Sequence, residues 1–132
     1  MDYLWITKFQ QKNEPDVTGY FNVDTLSLMC DTTIVKYEIE TTNIFDKWFS
    51  KIKDIRSRAR IINRFDHIQL GNFGDYKRLG TDLFELRFFF SSGFRIYYTI
   101  KNGKIVFLLC GGDKSSQSKD INKAKAILAE LE

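Results

Sequence analysis

Four side chains suited to handling an anion gather within one short run of this sequence. Arg87, Arg95, Tyr97 and Lys114 all fall between Leu83 and Lys114, in LFELRFFFSSGFRIYYTIKNGKIVFLLCGGDK. Guanidinium groups grip oxyanions through paired N–H donors, lysine adds a mobile point charge, and a phenol can stack on a ring or position a proton. The competing reading is an ordinary solvated sheet face whose charges do nothing specific. Which applies depends on the elements that must bring the four together.

Three aromatic and β-branched stretches supply those elements: Phe84–Phe90, Phe94–Lys101 and Lys104–Cys110. They are separated only by Ser91-Ser92-Gly93 and Asn102-Gly103, which predicts two consecutive hairpins and a three-stranded antiparallel meander. A two-residue turn at Asn102-Gly103 sets Lys101 opposite Lys104, Tyr97 opposite Leu108 and Arg95 opposite Cys110. A three-residue turn at Ser91–Gly93 sets Phe90 opposite Phe94 and Arg87 opposite Tyr97. Because side chains alternate along a strand, one face collects Phe84, Leu86, Phe88, Phe90, Phe94, Ile96, Tyr98, Ile100, Ile105, Phe107 and Leu109 as core. The other carries Glu85, Arg87, Arg95, Tyr97, Thr99 and Lys101, with the Gly111–Lys114 loop leaving beside Arg95.

Upstream, Thr33–Glu40 reads as a strand. Thr42 or Asn43 can then cap a helix with an apolar stripe of Ile44, Phe45, Trp48, Phe49, Ile52 and Ile55. A second helix follows through Ile61, Ile62, Phe65, Ile68 and Leu70, ended by Gly71. The polar side of this helical hairpin is basic, with Lys47, Lys51, Lys53, Arg56, Arg58, Arg60 and Arg64, and reads as a solvated surface or one that tracks phosphates. Ser115, Ser116 and Ser118 offer caps for a last helix with Ile121, Ala124, Ile127, Leu128 and Leu131 on one side. The glycine-rich Gly71–Gly80 link matches no phosphate-loop or dinucleotide fingerprint. His67 reads as structural. Met1–Asp31 shows no sustained periodicity and is expected to be an N-terminal extension or accessory arm, with the compact domain at 32–132. The expected fold is α+β: a small antiparallel sheet in the order strand, helix, helix, three-strand meander, helix, with the helices packed on one face.

Composition limits the function classes. The chain has 132 residues, 43% hydrophobic and 15% aromatic, with a net charge of only +3. That suits one globular domain and makes the placement of charge more informative than its sum. Cys30 and Cys110 are too few and too far apart for a disulfide framework or zinc site, and with one histidine no metal cofactor is expected. No run reaches the length of a membrane span and the N-terminus lacks a basic signal-peptide start, so the expectation is a cytoplasmic protein.

Several ordered blocks carry a resemblance: Gly74-Asp75-Tyr76-Lys77-Arg78-Leu79, Phe84-Glu85-Leu86-Arg87, Gly93-Phe94-Arg95-Ile96-Tyr97-Tyr98, and Leu108-Leu109-Cys110-Gly111-Gly112-Asp113-Lys114-Ser115-Ser116-Gln117. Over roughly 35–132 the chain resembles the addiction-module killer proteins, a HigB-like branch of the RelE/ParE toxin superfamily. The resemblance implies a RelE-like fold and the toxin of a type II toxin–antitoxin module, with a helix-turn-helix antitoxin as partner. It implies no cofactor or membrane partner. RelE-like and HigB-like members cleave mRNA on the ribosome; ParE-like members inhibit DNA gyrase, and a degenerate member would only bind antitoxin.

Metal-free RNA cleavage requires in-line attack by a ribose 2′-oxygen, stabilisation of charge on the phosphate and movement of protons. By position, Arg95 in Gly-Phe-Arg-Ile-Tyr matches the arginine of RelE's Gly-Tyr-Arg-Leu-Val segment, to which transition-state stabilisation is assigned. Arg87 matches the arginine of the preceding strand. Lys114 falls in the loop where RelE carries basic catalytic residues. Tyr97 is a candidate for stacking or proton positioning, and Asp113 for general base or helix cap. Lys77, Arg78, Arg56 and Arg60 are candidate RNA contacts. One departure stands out: where RelE has a catalytic tyrosine on the last helix, this chain places Ile121, which cannot move a proton.

Overall fold

The computed structural model describes residues 35–131. The expected extension, Cys30 and the start of the first strand at Thr33 lie outside the described residues. Those described form β1 (Glu38–Thr41), α1 (Asn43–Ser50), α2 (Ile55–Gln69), β2 (Tyr76–Arg78), β3 (Phe84–Arg87), β4 (Arg95–Lys101), β5 (Ile105–Gly112), a 3₁₀ turn (Lys114–Ser116) and α3 (Gln117–Leu131). The class is α+β, but the sheet is larger than the meander. It has five strands in the order β1-β5-β4-β3-β2. It is also mixed rather than antiparallel, because β1 runs parallel to β5.

Local signals set the helix ends. Thr42 Oγ1 accepts from the Phe45 amide at 3.0 Å and donates to the Leu109 carbonyl at 2.6 Å, capping α1 and tying it to β5. Asp54 caps α2, accepting from Ser57 Oγ at 2.7 Å. Gly71, at φ +98°, ends it as expected. Ile55, assigned to the first stripe, instead opens α2 and is exposed. His67, read as structural, lies on the exposed side of α2.

The largest correction concerns β5. Asn102 and Gly103 both take positive φ, and the Lys104 amide closes the turn onto the Lys101 carbonyl at 3.0 Å. The ladder, however, pairs Lys101 with Ile105, so Lys104 is an extra residue. A second irregularity between Tyr97 and Tyr98 admits Leu109, so Tyr97 faces Cys110 and Arg95 faces Gly112. A one-residue slip turns a strand over. Val106 and Leu108 therefore pack with Phe45, Phe49, Phe65, Ile96 and Tyr98 under the helical hairpin. Phe107 and Leu109 turn to the opposite face and pack with Leu83, Tyr97, Cys110 and Ala124 under α3. The helices thus cover both faces of the sheet, not one. Each fully buried aromatic in these clusters contributes about 2 kcal/mol of hydrophobic stabilisation.

Gly111 and Gly112 make this double covering possible. A Cβ on Gly111 would lie 2.5 Å from Trp48 of α1, and one on Gly112 would collide with the Asp120 carboxylate of α3. The first hairpin also differs. Strand β3 stops at Arg87, which pairs with Arg95, and Glu85 pairs with Tyr97. The register is two residues from the expected one, so the faces are preserved and the connecting loop widens to Phe88–Phe94.

Candidate functional site

Arg95 explains the wide loop. Its Nη1 donates to the Phe88, Gly93 and Phe94 carbonyls at 3.3, 3.2 and 3.2 Å, so the loop is wrapped around a guanidinium that is only 5% exposed. Positive φ at Ser91 and Gly93 permits that path. On its other side Arg95 Nε lies 3.9 Å from Oε2 of Glu85, a fully buried carboxylate. Glu85 Oε2 also accepts from Gln117 Nε2 of α3 at 2.7 Å. Arg95 is therefore both a charge in the site and a structural pin.

Strand alternation delivers the remaining groups. Lys77 pairs with Glu85 across β2 and β3, and Arg87 with Arg95 across β3 and β4, placing all four on the α3 side of the sheet. The turn after β5 adds Lys114, whose amide reaches the Ser92 carbonyl at 3.4 Å. Together Lys77, Glu85, Arg87, Phe89, Ser91–Gly93, Arg95, Lys114 and Gln117 line a cleft of about 520 Å³. Lys77 and Lys114 are exposed and Arg87 is half-buried. Four cations against one buried carboxylate give the cleft a positive field, suited to a phosphate.

Buried polar atoms converge on its floor. Glu85 Oε1, Arg87 Nε and Arg95 Nε have no hydrogen-bond partner among the described residues. Unpaired buried groups cost free energy, so their concentration in one place marks a region shaped for something other than stability. Glu85 and Gln117 carry no expected role from the sequence. The signal available there was a lone acid at Glu85 on an otherwise basic face, which only the long-range contact with Gln117 makes interpretable.

Other expected site residues are placed elsewhere. Tyr97 does not line the cleft: it is fully buried beneath α3, and burial, followed by the negative charge of Glu85, holds its phenol far above its ordinary pKa. Tyr97→Phe is expected to leave activity unchanged, because the phenol lies outside the cleft lining, and to change stability by no more than about 1 kcal/mol. Thermal unfolding checks this, and a larger loss of stability would give the hydroxyl a structural role. Asp113 caps the 3₁₀ turn, accepting from the Ser115 amide at 3.0 Å and the Ser115 hydroxyl at 2.6 Å. Those bonds, led by the Ser115 hydroxyl, hold its carboxyl below the ordinary 3.8. A depressed carboxylate stabilises the fold above its unfolded pKa and loses that contribution as pH falls through the folded value. The turn should therefore loosen only below 3.8, and an NMR titration of the Asp113 carboxyl should give a midpoint under that value.

Arg78, one residue from Lys77, points to the other side of its strand and closes the next loop through the Gly80 and Thr81 carbonyls at 2.9 and 3.0 Å. Arg56 and Arg60 line a separate hollow of about 640 Å³ with Asp54, Ser57, Ala59, Phe90 and Ser91. Part of the basic hairpin rests on aromatic rings rather than standing free in solvent. Arg58, Arg60 and Arg64 lie 4.4, 4.6 and 4.3 Å from the ring centres of Phe49, Phe90 and Phe88. Arg64 also donates to the Arg87 carbonyl at 3.0 Å, bracing the strand that carries a cleft arginine. Ile121 packs into the cluster under α3. Burial and then the charge of Asp120 push the Cys110 thiol up to about 12, which makes it unreactive as a nucleophile.

Among the described residues no helix is long and apolar enough to cross a membrane. Comparison with known proteins adds the context. A family model described as Phage derived protein Gp49-like (DUF891) matches residues 47–131. An uncharacterized protein of Haemophilus influenzae is 49% identical over 94 residues, covering 71% of this chain and 95% of that protein. No solved structure matches this chain.

Proposed function

The chain belongs to the phage-derived Gp49-like family, a RelE/HigB-type family associated with the toxins of toxin–antitoxin modules, and from that premise we propose that it cleaves mRNA on the ribosome. The observation that supports this reading is the cleft where Lys77, Arg87, Arg95 and Lys114 meet from four separate segments. Around a scissile phosphate, Arg87 grips non-bridging oxygens and stabilises the charge that grows as the 2′-oxygen attacks. Arg95, pinned by three carbonyls, supplies a fixed positive charge behind it. Lys77 holds a neighbouring phosphate. Lys114, exposed at the rim, protonates the departing 5′-oxygen, leaving a 2′,3′-cyclic phosphate and a 5′-hydroxyl. The lining holds no exposed carboxylate or imidazole. The 2′-hydroxyl proton therefore passes to water, and catalysis rests on in-line positioning and electrostatics rather than a strong base.

The family context implies an antitoxin partner. We take it to be a helix-turn-helix protein with an acidic segment that covers the basic cleft, and the toxin domain to be residues 32–132. The test is induced expression of the full chain in a bacterium with mapping of mRNA 5′ ends. New ends inside translated codons, absent with Arg87→Ala, are the expected result. Growth arrest with intact mRNA and damaged DNA would replace this reading with gyrase inhibition, and normal growth would leave only antitoxin binding.

A further inference from the structure

Resting on that reading, we propose that Phe89 is the platform on which the base beside the scissile phosphate stacks. The three phenylalanines that begin the wide loop are treated differently by the fold. Phe88 is buried and Phe90 half-buried, their rings 5.8 Å apart on the hairpin side of the sheet. Phe89 turns the other way, into the cleft, and is 72% exposed. Among the described residues no aromatic ring packs on it, so this exposed phenyl adds little stability to a loop already held by Arg95.

Its neighbours indicate what it meets. The guanidinium carbons of Arg87 and Arg95 lie 5.7 and 5.9 Å from its ring centre, so the two groups assigned to the phosphate also flank the ring. One flat apolar surface beside a set of cations matches a nucleotide, with its phosphate on the charges and its base on the ring. A free phosphate would use only the charges, and an acidic peptide would leave the ring without a flat partner. The volume of about 520 Å³ lies within the range of small-ligand clefts. Stacking tolerates any base but favours those with the larger π surface, so Phe89 confers a graded preference at the cut rather than a strict code.

The same 5′-end mapping tests this with Phe89→Ala and Phe89→Trp beside the parent chain. Phe89→Ala is expected to lower cutting about tenfold and to flatten the base preference next to the cut. Phe89→Trp keeps both. Since the ring is exposed, thermal unfolding of the alanine variant should match the parent. Phe89→Ala cutting at the parent's frequency and at the same bases would overturn the assignment while leaving the nuclease reading intact. A parent chain that produces no new ends would overturn both.

Discussion

Arg87→Ala is expected to lower mRNA cleavage by about 100- to 1,000-fold, the usual cost of removing one donor aimed at developing charge in a site of this kind. Arg87 is the better probe than Arg95 because the two arginines are held differently. Arg95 carries the loop Phe88–Phe94 on three carbonyl bonds, so its removal confounds lost chemistry with a collapsed loop. Arg87 is half-buried, its Nε is unpaired among the described residues, and its strand is braced independently through its own carbonyl by Arg64. The alanine variant should therefore fold normally and fail at the phosphate. Arg87→Lys should recover only part of the loss, since an ammonium supplies charge without the paired donors of a guanidinium. Counting new 5′ ends per transcript gives the magnitude. A folded alanine variant that cuts within threefold of the parent would remove Arg87 from the mechanism.

Glu85→Ala is expected to destabilise the protein by about 3–5 kcal/mol, the cost of leaving a buried charge without its partner. Glu85 is fully buried, Arg95 is 5% exposed, and Nε and Oε2 lie 3.9 Å apart. Its removal leaves Gln117 Nε2 unpaired too, loosening the start of α3 against the sheet. For a chain of this size the thermal midpoint should fall by about 10 °C or more. Glu85→Gln keeps the shape and a polar contact for Gln117 but not the charge, so it should lie between the parent and alanine. A midpoint within 2–3 °C of the parent for the alanine variant, by the scaling roughly 1 kcal/mol or less, would mean that the three carbonyls alone satisfy Arg95.

Both predictions rest on residues whose placement was only partly legible in the chain. Thr42 before a helical stripe, Gly71 after one and Asn102-Gly103 between two apolar runs each marked an element end, because capping and positive φ are local properties of a few neighbouring residues. The phosphate-handling face was legible for the same kind of reason. Arg87 and Arg95 share it in either register of the first hairpin, since a two-residue shift preserves parity.

What the sequence alone determined, then, is everything that depends on local geometry: the helices, the meander, and two arginines and a lysine converging at one end of it. Tertiary structure decided the rest. One extra residue in the turn before β5 put Phe107 and Leu109 on the α3 side, and a second, at Leu109 within β5, set Gly112 opposite Arg95. Pairing at the far edge brought Lys77 into the cleft and sent Arg78 out of it. Packing buried Tyr97, laid the hairpin arginines on phenyl rings and gave Glu85 its partner on α3. Each outcome depends on which residues meet across long stretches of chain, and a bulge of one residue, invisible in composition or periodicity, is enough to exchange the two faces of a strand.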